Sequence, residues 1–242
     1  MHLQAPGTGV HPPANTATAL RDAAERLGHR PAVTVLLPDG RQEQSVASLA
    51  QWAAKGAHLL ELDLLLEPGD RLHLDVPASW PAAAVALACW WSGVVLTLDG
   101  DAEVAVVQAG RDAPPGAEVL RVGDRLDGAY DDTDDTAGAG EPWVRAVQAF
   151  PDQPPTPRAG GELPALMADG SLRTQAQLLA AVAAGSDDAD GPLGMAVPLD
   201  HRLDADDLVD LALRPLLTGR PTVVARGVPR DAAAGDRVAV WR

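Results

Sequence analysis

Few residue patterns in this sequence could do chemistry without help from the rest of the fold. The run Asp131-Asp132-Thr133-Asp134-Asp135 has enough carboxylates to suggest Ca²⁺ binding, but it lacks the glycine and the terminal glutamate of an EF-hand loop. A solvated loop is therefore the preferred interpretation. The six histidines show no HExxH spacing, and the sequence has no G-x-S-x-G nucleophile elbow. These patterns predict neither a catalytic residue nor a metal site.

The overall charge limits the partners that we expect. The sequence has 34 acidic and 19 basic residues, which gives a formal net charge of −15. Because such a surface repels phosphate backbones, no nucleic-acid partner is expected. The basic residues are arginines apart from Lys55, and this bias, together with abundant Ala, Asp and Pro, indicates a GC-rich coding genome of the actinobacterial kind.

The same kind of reasoning gives an expected location. Residues 1–14 contain Pro and Gly but no apolar core of a signal peptide. The longest apolar stretch, 82–98, is interrupted by Ser92 and Gly93 and is too mixed to span a bilayer. Cys89 is the only cysteine, which excludes an intrachain disulfide and suits a reducing compartment. We therefore expect a cytoplasmic protein with no membrane partner.

Helices and apolar strands alternate along the first part of the chain. Helical periodicity is present at 15–29, 46–60 and 80–91, and the third helix is apolar almost all round, which indicates burial. Strands are predicted at 32–37, 41–45, 71–76, 94–98, 102–107 and 118–122. This order is typical of an α/β fold in which a mostly parallel sheet is flanked by helices.

A proline-rich stretch divides the pattern. Residues 123–141 are poor in apolar side chains and predict an exposed loop, which a short helix at 143–150 follows. Beyond the prolines, the predicted elements are a strand at 163–167, a helix at 171–184, a strand at 193–197, a helix at 204–217, and strands at 222–225 and 237–241. We predict a first α/β lobe at 1–150, a connector at 151–162 and a second α/β segment at 163–242.

Three stretches resemble the N-terminal portion of acyl-adenylate-forming enzymes, the AMP-binding superfamily that includes acyl-CoA synthetases and peptide-synthetase adenylation domains. The strongest is 66–98, where EPGDRLHLDVPAS and the helix after it are similar to the family's PGDRVAL segment and the helix that follows it. The others are the opening RPAVT with Gly40-Arg41, and 194–225, which is similar to the family's LP..H..GL…LL.GATVVL pattern. The resemblance implies the fold of that portion.

The resemblance also implies a phosphate-binding loop at the start of the second segment. The family holds the triphosphate with a loop rich in Gly, Ser and Thr, followed by a lysine. Here Asp169, Gly170, Ser171, Arg173 and Thr174 stand in that register and the lysine is absent, so these residues form a tentative nucleotide-binding set in a degenerate loop. Arginine is not a simple replacement for lysine at a fitted site. The alternative is that Asp169 or Ser171 caps the following helix.

A single histidine carries the tentative acyl-pocket assignment. His201 stands where the family has a histidine near the acyl group. The alternative is an ordinary loop histidine that precedes a helix capped by Asp204.

Three functions remain open at this point. The family's later elements, which include the ribose-binding aspartate and the lid lysine, have no counterpart before Arg242. We therefore expect a truncated, non-catalytic AMP-binding-enzyme-like protein with a binding or regulatory role. One alternative is a weak or split acyl-adenylating ligase that a partner chain completes and that uses ATP or AMP with Mg²⁺. Another is an interaction protein whose truncated face is covered by a homo-oligomer or a protein partner.

Overall fold

Helices and strands alternate through most of a computed structural model, which describes residues 13–129, 138–185 and 191–242. The aspartate run and the middle of the predicted loop 123–141 lie outside these residues. The helices are α1 Thr16–Leu27, α2 Val46–His58, α3 Trp80–Ser92, α4 Trp143–Gln148, α5 Gln175–Ala184, α6 Ala205–Ala212 and α7 Arg214–Thr218. The strands are β1 Pro31–Leu37, β2 Gly40–Ser45, β3 Arg71–Asp75, β4 Val95–Thr97, β5 Val104–Gln108, β6 Glu118–Val122, β7 Glu141–Pro142, β8 Pro164–Ala168, β9 Ser171–Thr174, β10 Leu193–Val197, β11 Thr222–Arg226 and β12 Val240–Trp241.

Polar side chains fix where several helices begin. Asn15, Ser45 and Asp204 each accept a hydrogen bond from a backbone N–H in the first turn of the helix that follows. The Ser45 hydroxyl, for example, lies 3.1 Å from the amide nitrogen of Ser48. Such contacts satisfy donors that the first turn leaves without a helical partner. The cap predicted at Asp204 is confirmed.

The helix predicted at 171–184 is wrong in its first turn, because β9 occupies that stretch and α5 begins only at Gln175. β9 runs antiparallel to β8, and only Asp169 and Gly170 separate the two strands. Both residues have positive φ, 50° and 69° respectively. A two-residue hairpin turn needs that conformation, and Asp-Gly is among the residue pairs that adopt it at least cost.

The predicted helices at 46–60 and 204–217 are present, but their ends are reshaped. α2 passes into one turn of π-helix at Leu59–Asp63. The second helix is divided into α6 and α7 where Pro215 enters the first turn of α7. Proline has no N–H to donate to the preceding turn, so the hydrogen-bond ladder breaks there.

Two sheets make up the fold. The seven-stranded sheet has the order β7-β6-β5-β3-β4-β8-β9, and the five-stranded sheet has the order β12-β10-β11-β1-β2. All pairings are parallel except the β1–β2 and β8–β9 hairpins. The predicted fold class is confirmed. Each sheet takes strands from both sides of the connector 151–162, so the sheets themselves are not divided at the connector. The division of the chain into a first lobe at 1–150 and a second segment at 163–242 stays a prediction.

Helix α3 lies between the two sheets. It contacts β4 of the larger sheet and β1 of the smaller one, and all its residues are buried. Its tryptophans anchor the chain on either side: the indole N–H of Trp90 donates to the Ala165 carbonyl at 2.9 Å, and that of Trp91 donates to Pro155 at 3.0 Å. A helix with no polar face is stable only when it is enclosed in this way. The predicted burial of this helix is confirmed.

In the described parts of the chain, no helix combines the length and apolar character that crossing a membrane would require.

The closest contact between α2 and α3 gives a test of this packing. A Cβ added at Gly56 would lie 2.9 Å from the Cβ of Ala88, which is closer than non-bonded carbon atoms approach in folded proteins. We expect Gly56→Val to lower the free energy of unfolding by about 1–3 kcal/mol, because overpacking forces the helices apart. Gln51→Val places the same side chain on the exposed side of α2, and its effect should stay within about 0.5 kcal/mol. Urea unfolding measures both, and equal losses would contradict the packing described here.

Candidate functional site

The carboxyl ends of parallel strands from both sheets meet in one region, which we call the carboxyl-edge crevice. It is formed by the residues that end or follow β1, β3, β5, β6, β10 and β11. In the larger sheet, β3 has β4 on one side and β5 on the other, so the chain reverses its direction across the sheet at β3. Open α/β sheets bind ligands outside the carboxyl ends of strands at such a reversal.

An ion cluster occupies this crevice beside β3. Asp75, which is 8% exposed, pairs with Arg111 through one carboxylate oxygen and lies 3.1 Å from Arg202 Nη2 through the other. Arg111 also donates to the Asp200 carbonyl at 3.0 Å. Because Arg111 follows β5 and Asp200 follows β10, this guanidinium joins the carboxyl edges of the two sheets. A carboxylate that is nearly enclosed is stable when paired and costly when left alone.

His73 lies on the same side of β3 as Asp75, two residues earlier. Its Nδ1 atom is buried and has no hydrogen-bond partner among the described residues. Burial lowers the pKa of the imidazole, and Arg202 adds to this effect, whereas Asp75 and Asp99 oppose it. The imidazole is therefore held in its neutral form more strongly than an exposed histidine would be.

The first tentative nucleotide-binding residues lie in the exposed turn between β8 and β9. Asp169 and Gly170 are the two turn residues, and the Gly170 amide nitrogen lies 3.4 Å from a carboxylate oxygen of Asp99. A phosphate-binding loop directs several successive N–H groups at one point. Here only two residues form the turn, and the Gly170 N–H is directed at the carboxylate of Asp99.

Two further members of the set, Arg173 and Thr174, make contacts with neighbouring elements, and Ser171 is an exposed residue of β9. Arg173 pairs with Asp206 of α6 at 3.2 Å, and Thr174 forms a capping box with Gln177 at the start of α5. The helix is thus capped by Thr174 and not by Asp169 or Ser171, because β9 intervenes. The nucleotide-binding assignment of these five residues stays a prediction that none of these contacts supports.

His201 lies in the loop that follows β10. Its Nε2 atom is 2.7 Å from a carboxylate oxygen of Asp207, which also accepts the Asp204 amide at 3.3 Å. Since Arg173 pairs with the neighbouring Asp206, the start of α6 brings the β9 strand and the His201 loop together. This contact agrees with the alternative of a loop histidine before a capped helix, and the acyl-pocket assignment stays a prediction.

A cavity of about 260 Å³ lies in the same crevice. Its lining residues are Leu37, Pro38, Asp39, Gln108, Asp124, Arg125, Leu199 and Arg226. Arg226, the last residue of β11, is only 3% exposed and donates from Nη2 to the Asp124 carbonyl at 3.0 Å. Its Nε–H is buried and has no hydrogen-bond partner in the part of the chain that the structure describes, and burial lowers the pKa of its guanidinium.

Sequence reasoning missed the residues that the crevice is made of. One local signal was present: His73 and Asp75 alternate with leucines in a strand that is otherwise buried, and polar residues at such positions need a reason. Arg111, Arg202 and Arg226 had no such signal, because each comes from a different part of the chain and only the sheets bring them together.

Comparison with known proteins agrees with this architecture. No family model matches the chain. The Brucella canis acyl-CoA synthetase matches 92% of the chain with a TM-score of 0.70 and 17% identity, and coronafacic acid ligase from Pectobacterium brasiliense matches 91% with a TM-score of 0.69 and 13% identity. The fold is that of part of an acyl-adenylate-forming enzyme. The extent of the match is consistent with the N-terminal portion, since the chain covers only 46% and 47% of those two proteins.

One relative is similar in sequence over a shorter range. A Mycobacterium tuberculosis protein named TIGR03089 family protein is 41% identical over 80 residues, which are 33% of this chain and 33% of that protein. The relative is actinobacterial, in keeping with the amino-acid bias. The chain thus spans a third of this relative's length and under half of the two structures described above.

The two arginines on Asp75 should differ sharply in their effect on stability. Arg111→Met removes the less exposed partner and the link to Asp200, and we expect a loss of about 3 kcal/mol because Asp75 is left buried beside a single exposed arginine. Arg202→Met removes the partner that is 73% exposed and should cost less than about 1 kcal/mol. Urea denaturation measures both variants, and similar losses would show that Arg111 does not join the sheets.

His73 should make stability depend on pH. Its pKa is lower in the folded protein than its ordinary value of 6.5, so the unfolded chain takes up the proton first as the pH falls. The stability contributed by the neutral imidazole is complete above about 6.5 and is lost as the pH falls from there through the folded-state pKa. We expect His73→Gln to flatten this part of the curve in thermal unfolding measured from pH 7.5 downwards; an unchanged slope would contradict the burial of a neutral His73.

Proposed function

We propose that the chain is a binding or regulatory relative of acyl-adenylate-forming enzymes and does not itself form an acyl-adenylate. One observation carries the proposal: a two-residue turn, Asp169-Gly170, stands where the resemblance implies the phosphate-binding loop.

The chemistry of adenylation explains why this turn matters. The reaction joins a carboxylate to the α-phosphate of ATP, so an enzyme must hold the triphosphate and neutralise the charge that develops. Here Asp169 and Asp99 place negative charge at the turn, and the Gly170 N–H is directed at Asp99. The nearest candidate cation in the set, Arg173, is already paired with Asp206.

The retained scaffold supports a role in binding. The two sheets and the helices share one hydrophobic core, and the carboxyl ends of their strands form a crevice. Charged side chains with little exposure, Asp75 and Arg226 among them, remain in that crevice although they are costly to bury. Side chains of this kind suit recognition of a polar ligand.

The test is acid-dependent ATP–pyrophosphate exchange with a panel of carboxylic acids, together with calorimetric titration of MgATP. We expect no exchange above a protein-free control and no saturable heat. Arg173→Ala and Arg71→Ala form a matched pair, since Arg71 is exposed at the opposite, amino-terminal end of β3. Exchange that is lost in Arg173→Ala and kept in Arg71→Ala would overturn the proposal and restore the phosphate loop.

A further inference from the structure

We propose that the cavity around Arg226 binds a small, singly charged ligand through a planar oxyanion. The inference gives the proposed binding role a ligand and in that sense rests on it. It is tested by direct binding, whereas the proposed function is tested by adenylation, so that either can fail without the other.

The position of Arg226 is the first argument. Leu37, Gln108 and Arg226 lie at the carboxyl ends of β1, β5 and β11. The residue two positions before each of them points to the same face of its strand and belongs to the main core between the sheets; these residues are Val35, Val106 and Val224. The three side chains therefore emerge on the inner faces of both sheets, at their carboxyl edges, and line one cavity. Ligands of α/β folds bind at this place.

The second argument is that Arg226 has no ion-pair partner among the described residues, although Asp124 and Asp39 favour its charged form from a greater distance. The one hydrogen bond formed by its Nη2 goes to a neutral carbonyl. Arg111, by contrast, is compensated by Asp75 in the same crevice. A buried cation is normally paired, and a guanidinium presents a flat fork of N–H donors that matches a planar oxyanion.

The rest of the lining restricts the ligand. Asp39, Asp124 and Arg125 also border the cavity, and Arg125 is exposed and pairs with Asp127 at 3.5 Å. The carboxylates of Asp39 and Asp124 would repel a second negative charge, which disfavours phosphate dianions. Leu37, Pro38 and Leu199 supply apolar surface for a small organic group. A cavity of about 150 Å³ accommodates benzene, so about 260 Å³ has room for an oxyanion that carries a group of that size.

The experiment titrates the full chain, by calorimetry and thermal shift, with acetate and benzoate, with nitrate, and with phosphate at pH 7.5. We expect saturable binding of the planar monoanions. If the ligand is organic, benzoate should bind more tightly than acetate and nitrate. If the ligand is inorganic, nitrate and acetate should bind with equal affinity. Phosphate should bind at least tenfold more weakly than the best planar ion. Equal or stronger binding of phosphate, or no saturable binding of any planar ion, would overturn the proposal.

Variants of Arg226 separate binding from folding. Arg226→Met should lose at least tenfold in affinity while its unfolding midpoint stays level or rises, since it removes an unpaired buried charge. Arg226→Lys keeps the charge but lacks the planar fork of donors, and it should bind more weakly than the native chain. The control variant Arg71→Met, at the far end of β3, should bind as tightly as the native chain. Should Arg226→Met fail to fold, the lysine variant carries the test. Undiminished affinity in whichever of the two variants folds would assign Arg226 a structural role.

Discussion

The burial of α3 is the constraint on which the rest of the structure depends. Every residue of this helix is enclosed, and it touches strands of both sheets. The two sheets therefore have to approach from opposite sides, and α2 has to come close enough that Gly56 meets Ala88 with no room for a side chain. Three tryptophans, Trp52, Trp80 and Trp143, close one end of this layer, with ring centroids between 4.8 and 6.2 Å apart.

The same constraint creates the crevice. With α3 between them, the sheets place the ends of β3 and β5 opposite the loop after β10 and the end of β11. Polar groups that follow a parallel strand lie beyond the hydrogen-bond ladder of its sheet, so they need partners elsewhere. Arg111 finds one partner in its own sheet, Asp75, and a second across the gap, the Asp200 carbonyl. The site is thus a consequence of the core, and a change that separates the helices would also open the crevice.

A structural feature can be predicted from this sequence when neighbouring residues determine it, and cannot when residues far apart in the chain determine it. The burial of α3 is predictable because the helix is one continuous apolar run, and the order of helices and strands predicts the fold class. The start of α5 was misread although the signal was local: periodicity extended the helix back to Ser171, whereas the Asp169-Gly170 pair already indicated a hairpin turn. The sharing of strands between the sheets was not readable, because pairings such as β1 with β11 join residues from the two ends of the chain.

The candidate site shows the same limit in a sharper form. The family resemblance predicts a site at 169–174, where the backbone turns back after two residues. The charged residues of the crevice share no motif, so no pattern in the sequence predicts them as one site. Among the described residues of that crevice, two arginines have different partners: Arg111 forms an ion pair with Asp75, while Arg226 donates from Nη2 to a carbonyl and its Nε–H has no partner. A fold that needed only stability would gain nothing from an unpaired buried guanidinium, since an apolar side chain of similar volume would fill the space at less cost. The ion pair present at Arg111 and missing at Arg226 therefore points to Arg226 as the residue that a ligand completes.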